Sequence, residues 1–133
     1  MNRIWVLLAE FFVSRVKSFQ HAFAGWGFVI RTQRNAWIHA LASVIVVLVC
    51  FWLDIPWRDW AVIVLAIALV WTAEFLNTAL EAVVDLASNG HQHRLAKVGK
   101  DVGAAAVLIA ALSSILIGIL ILGPALAERL GIK

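Results

Sequence analysis

Four polar residues, Glu74, Asn77, Glu81 and Asp85, interrupt or border an otherwise apolar stretch that begins at Trp60. At 3.6 residues per turn they fall within about 80° of one another, on a single stripe of a helix. An acidic group at the centre of a bilayer costs about 2.5–3.5 kcal/mol on insertion scales. Three carboxylates and an amide on one face of a membrane helix therefore mark a site in use. Two kinds of chemistry suit them. They can hold a divalent cation and act as a base on a polyphosphate substrate, or they can relay protons or cations in a small transport pathway. Two histidines, His91 and His93, follow in a turn-rich segment beginning at Ser88. With no third ligand or cysteine beside them, they are read as loop residues rather than a zinc site.

The elements that must position these groups are membrane helices. Of the 133 residues, 63% are hydrophobic and only 14% charged, more apolar surface than a compact soluble domain of this length could bury. The expectation is one all-α domain over residues 1–133, an integral membrane protein with three spans at about 37–53, 60–84 and 102–122. Residues 60–84 would make a helix about 37 Å long, beyond the ~30 Å hydrocarbon core, so its last turns emerge into the headgroups. Asp85 then lies in or near water, Glu81 at the boundary, and Glu74 about 10 Å deeper. Asp54 to Asp59 is a tight turn, with Pro56 opening the next helix and Trp52, Trp57 and Trp60 forming an interfacial belt. His39, near the start of the first span, is read as an interfacial histidine. Gly123-Pro124 should end the third span. Ala106, Ala110, Ser114 and Gly118 form a small-residue row suited to helix packing.

Residues 4–30 read as an amphipathic helix in the headgroup plane, broken near Gly25 and Gly27. Trp5, Leu8, Phe12, Phe19, Phe23 and Trp26 share one side, with Glu10, Ser14, Lys17 and His21 mostly opposite. Glu10, Arg15 and Lys17 argue against reading this segment as a cleaved signal peptide. The formal charge is +3. Arg3, Arg15, Lys17, Arg31 and Arg34 cluster before the first span, and Arg94, Lys97 and Lys100 before the third. That bias puts the N-terminus and the 86–101 segment on the cytoplasmic side and the C-terminus outside. The basic residues flank spans rather than forming a dense patch, which disfavours nucleic acid as a partner. Since three helices can hardly wrap a polar stripe, the expectation is a homo-oligomer whose neighbouring subunit shields Glu74. A phosphate-binding Gly-x-x-x-x-Gly-Lys-Ser/Thr loop, a dinucleotide fingerprint and the soluble protein-kinase signatures are all absent from the sequence.

The stretch Glu74-Phe75-Leu76-Asn77-Thr78-Ala79-Leu80-Glu81-Ala82-Val83-Val84-Asp85 resembles the signature of the small bacterial membrane lipid kinases, the prokaryotic diacylglycerol and undecaprenol kinases. Ser18 to Gly25, Arg34 to His39, Leu95 to Asp101 and Ala105 to Leu108 resemble the family's flanking segments, so the likeness covers about residues 14–120. It implies a homotrimer in the bacterial plasma membrane, with sites between subunits that transfer the γ-phosphoryl group of MgATP to a lipid hydroxyl. By matching positions, Glu74 would be the general base and Glu81 the Mg²⁺ ligand. Asn77, Asp85, Lys100 and Asp101 would line the ATP site, together with the loop His91, Gln92 and His93. A phosphate-binding edge at Lys100-Asp101 separates a kinase from a relay, which needs none. Gln33 stands where many members carry a metal-binding Glu, which puts a second metal in doubt and raises a non-catalytic member as an alternative. Trp37 replaces a common Arg. His21, where some diacylglycerol kinases have Tyr, and Ala104, where some have Ser, lean towards the undecaprenol kinase branch.

Overall fold

The computed structural model describes residues 3–89, 91 and 93–132, and these form helices joined by short connections. The helices are α1 (Arg3–Thr32), α2 (Arg34–Leu53), α3 (Trp57–Ser88) and α4 (Arg94–Arg129). Residues up to Arg34 form one compact unit and those from Asn35 onward another. In the first unit α1 is continuous through Gly25 and Gly27, contrary to the expected break. Each glycine costs about 1 kcal/mol relative to alanine in a helix, but it keeps its backbone donor and acceptor, so it weakens the helix without ending it. Phe12, Phe19 and Phe23 are exposed.

In the second unit α2, α3 and α4 are each long and apolar enough to cross a membrane. Successive helices run antiparallel. Trp71 Nε1 of α3 donates to Ser43 Oγ of α2 (3.2 Å), and Cys50 clusters with Ile63 nearer the turn. Between α3 and α4, Gly99 meets Val84, and Ser114 Oγ donates to the Ala66 carbonyl (3.0 Å). The α2–α3 turn is closed by Asp54 in the left-handed region (φ 52°) and by Ile55, which is buried with Cys50, Leu53 and Ile63. Pro56 is the N-cap of α3, and its carbonyl accepts from Asp59 and Trp60.

Two boundaries and one packing row differ from the sequence reading. Residues 94–101 are the first turns of α4 rather than a loop. His93 caps them, with an extended backbone (φ −118°, ψ 136°) and Nδ1 accepting from Leu95 N at 3.2 Å. At the other end α4 runs through Pro124 to Arg129. Proline removes one backbone donor and normally crowds the residue before it, but that residue is Gly123, whose missing Cβ relieves part of the clash. The packing row of α4 keeps Ala110 and Ser114 of the expected small-residue row but leaves out Ala106. Gly103, Val107 and Ala110 are buried and lead to Ser114, whereas Ala106 is exposed. A strict every-fourth-residue row drifts by about 40° per step, while alternating steps of four and three keep to one face.

Candidate active site

The buried face of α3 runs Ile63, Ala66, Val70, Glu74, Asn77 and Thr78. The polar stripe is thus the continuation of the apolar packing stripe, not a separate surface. Glu74 is 2% exposed. The chain itself covers this carboxylate, so the expected need for a neighbouring subunit to shield it does not hold. Its nearest polar contact is His39 of α2, with Nε2 3.7 Å from Oε2. That distance exceeds a hydrogen bond, and both atoms are buried without a hydrogen-bond partner among the described residues. An unpartnered buried polar group costs about 1–3 kcal/mol. Thr78, one turn on, returns its hydroxyl to the Glu74 carbonyl at 2.9 Å and so adds no further unmet polar group.

One turn from Glu74, Asn77 Nδ2 donates to Glu81 Oε1 at 3.0 Å. The carboxylate dictates the amide's orientation, since a flipped amide would set two acceptors face to face. Asn77 Oδ1 turns instead to α4, buried and unpartnered, against Gly103. A Cβ on Gly103 would collide with that oxygen. Glu81 is half-buried and Asp85 exposed, so the carboxylates grade from dry to wet along α3, as their spacing predicts.

Beyond Glu81 a groove of about 640 Å³ lies between the end of α3 and the start of α4. Asp85, Ser88, His91, His93, Arg94, Lys97, Lys100 and Asp101 line it. Lys100 Nζ reaches across the two helices to Asp85 Oδ1 (2.6 Å), and Lys97 pairs with Asp101 on α4 (2.6 Å). Asp101 therefore pairs with Lys97, and Lys100 with Asp85. His93 serves as a helix cap, and Gln92 lies outside the described residues. His21 is exposed on α1, and Gln33 is the non-helical residue between α1 and α2. Among the described residues no three His, Cys, Asp or Glu side chains converge to hold a metal. The hard carboxylate oxygens of Glu81 still suit Mg²⁺, which is commonly bound by one or two carboxylates plus substrate phosphates.

Two residues of this arrangement escaped the sequence reading. His39 is set against Glu74 of α3, and Gly103 is the seat of the Asn77 amide. The signal for His39 is its stripe: His39, Ser43, Val46 and Cys50, at i, i+4, i+7 and i+11, share one helix face, and that face meets α3.

Three antiparallel apolar helices with a buried carboxylate on the middle one, opening onto a charged groove, define a small multi-pass membrane protein. The family model for prokaryotic diacylglycerol kinase matches residues 20–122. A diacylglycerol kinase of Synechocystis sp. is 42% identical over 109 residues, covering 82% of this chain but only 62% of that protein. The undecaprenol kinase of Bacillus subtilis is 42% identical over 110 residues, covering 83% of this chain and 89% of that protein. The diacylglycerol kinase of Escherichia coli K12 is 33% identical over 97 residues, covering 68% and 79%. The chain belongs to the prokaryotic diacylglycerol kinase family.

Proposed function

We propose that this protein is a membrane lipid kinase, transferring the γ-phosphoryl group of ATP to the hydroxyl of a lipid, diacylglycerol or undecaprenol. The observation that carries the reading is the graded stripe on α3. It joins a carboxylate at membrane depth to a charged groove that a nucleotide can enter. A proton or cation relay would have no use for that groove. Family membership supports the same activity.

In this mechanism Glu74 takes the proton of the lipid hydroxyl as its oxygen attacks the γ-phosphorus. The bond to the bridging oxygen breaks and ADP leaves with the electron pair. Glu74 is suited to this because its dry setting leaves it few competing partners. Lys100 and Arg94 offset phosphate charge in the groove, and Asp85, His91, Gln92, His93 and Asp101 border the nucleotide. Glu81 would hold Mg²⁺, with Asn77 fixing the carboxylate's orientation. When bound, the ion would offset phosphate charge during transfer. Gln33 is a poor second ligand, which favours a single ion. The surrounding assembly is a homotrimer in the bacterial plasma membrane, with α1 along its inner surface, the groove cytoplasmic and the C-terminus outside.

The test uses purified protein in detergent with Mg²⁺, labelled ATP, and diacylglycerol or undecaprenol in turn. Label appearing in either lipid is the expected result and names the acceptor. No transfer to either lipid overturns the reading.

A further inference from the structure

The reaction as written leaves His39 without a task, yet the fold holds it firmly. Ser43, one turn along α2, donates to the His39 carbonyl at 2.7 Å and accepts from Trp71 Nε1 at 3.2 Å. The Trp71 ring stands edge-on to the imidazole, with centroids 6.5 Å apart. This tie links the turn of α2 carrying His39 to the turn of α3 carrying Glu74. It sets Nε2 and Oε2 3.7 Å apart, each buried and each without a hydrogen-bond partner among the described residues. Buried polar atoms are nearly always partnered, so two facing each other without partners point to a ligand atom that serves both.

The chemistry of that atom is restricted. Glu74 Oε2 as a carboxylate can only accept, and His39 carries a proton on Nε2 in its cation and in one neutral tautomer. A hydroxyl meets both needs at once, donating to the carboxylate and accepting from the imidazole. An ether oxygen could satisfy only His39. An oxygen about 2.8 Å from both atoms with a tetrahedral angle needs them about 4.6 Å apart, an opening of under about 1 Å, within the reach of side-chain motion. His39 also lines one end of an apolar groove of about 580 Å³ between α2, α3 and α4. Val46, Val49, Ile67 and Ile119 line it further along. An apolar chain lying there would bring its head to His39.

We propose that His39 and Glu74 together hold the acceptor hydroxyl, His39 donating from Nε2 to the hydroxyl oxygen while Glu74 accepts its proton. The proposal rests on the lipid kinase reading and assigns the acceptor's polar head to a named pair. In the reaction the hydroxyl proton passes to Glu74, the oxygen bonds the γ-phosphorus, and ADP departs. His39 keeps its own proton and fixes the direction of the oxygen lone pair.

The experiment compares the full-length protein with His39→Leu and His39→Gln in detergent. Glutamine can still place an N–H near the position of Nε2, and leucine cannot. Loss of one aimed donor costs about 100-fold in turnover, so His39→Leu should lower kcat/KM for the lipid by that order. His39→Gln should recover about tenfold of it, and the Kd for MgATP should stay within about twofold in both. A second arm needs no turnover: quenching of tryptophan fluorescence by a chain-brominated long-chain alcohol and by its methyl ether. The unaltered protein should bind the alcohol more tightly, and His39→Leu should lose that preference. Equal binding of alcohol and ether by the unaltered protein overturns the proposal, even if kinase activity is found. So does a His39→Leu variant with near-normal kcat/KM, or a glutamine variant as impaired as the leucine one. If the unaltered protein prefers the alcohol but transfers no phosphate, the kinase reading falls, and the assignment of the hydroxyl as an acceptor falls with it.

Discussion

Glu74 and Glu81 are one pair of turns apart on the same helix, yet their surroundings differ. Glu74 is buried, with one imidazole near it. Glu81 is half-exposed and hydrogen-bonded by Asn77. Replacing Glu74 by glutamine keeps the shape and removes the base. Turnover should fall by about 10²- to 10⁴-fold, the usual worth of a positioned general base, with the helical fold intact by circular dichroism. Near-normal turnover would remove Glu74 from its role. Asn77→Ala acts differently, because it frees the Glu81 carboxylate to rotate. Loss of a group that orients a metal ligand typically weakens metal binding by about 10- to 100-fold. The Mg²⁺ concentration for half-maximal activity should rise accordingly, whereas Glu74→Gln should leave it nearly unchanged. At this scale the acidic residues were legible, because carboxylates in an apolar helix stand out by cost alone. His39 was not. Its partner lies 35 positions away on another helix, and a histidine near a span's end is unremarkable until the two faces are seen to meet.

Gly103 leaves α4 no side chain where it faces the Asn77 amide of α3. Gly103 lies against the Asn77 amide, and a methyl group there would strike Asn77 Oδ1 and come within 3.2 Å of Leu80 Cδ2. Either α4 backs away or the amide turns and releases Glu81. Gly103→Ala should therefore destabilise the helix pair by about 1–3 kcal/mol, the usual cost of overpacking, and raise the Mg²⁺ requirement as Asn77→Ala does. Gly99→Ala is the control. Its added carbon would sit 3.4 Å from Val84 Cγ2, an ordinary contact, so thermal unfolding in detergent should hardly change. If the two alanine variants behave alike, the close approach at Gly103 is not what holds the amide. The existence and order of the three apolar helices could be read from hydropathy and turn residues. Their ends and facing rows were harder. The start of α4 at Arg94 depends on a histidine acting as a cap, an uncommon choice, and its passage through Pro124 depends on the glycine before it. Both are local compensations that no average propensity carries.

If the proposed site is assembled within one chain, the whole molecule should show it. Glu74, Asn77 and Glu81 share α3, Gly103 of α4 seats the Asn77 amide, and Lys100 of α4 reaches Asp85 of α3. All these contacts are made inside a single copy. The sequence alone left open which subunit of an oligomer supplies which part, because helix spacing says nothing of which copy of α4 packs on a given α3. If the proposed trimer preserves this pairing, Glu74 and Lys100 of one working site belong to the same chain. Chains carrying Glu74→Gln should then be unable to complement chains carrying Lys100→Met. Each hybrid trimer would contain sites lacking the base or lacking the phosphate-binding cation, and none with both. Co-expression of the two variants with different tags, followed by two-step purification of hybrids, allows the kinase assay on mixed assemblies. Activity should stay at the level of either variant alone. Recovery towards one intact site per trimer would mean that α3 and α4 of neighbouring copies exchange partners, and the intrachain pairing of Lys100 with Asp85 would not be the functional one.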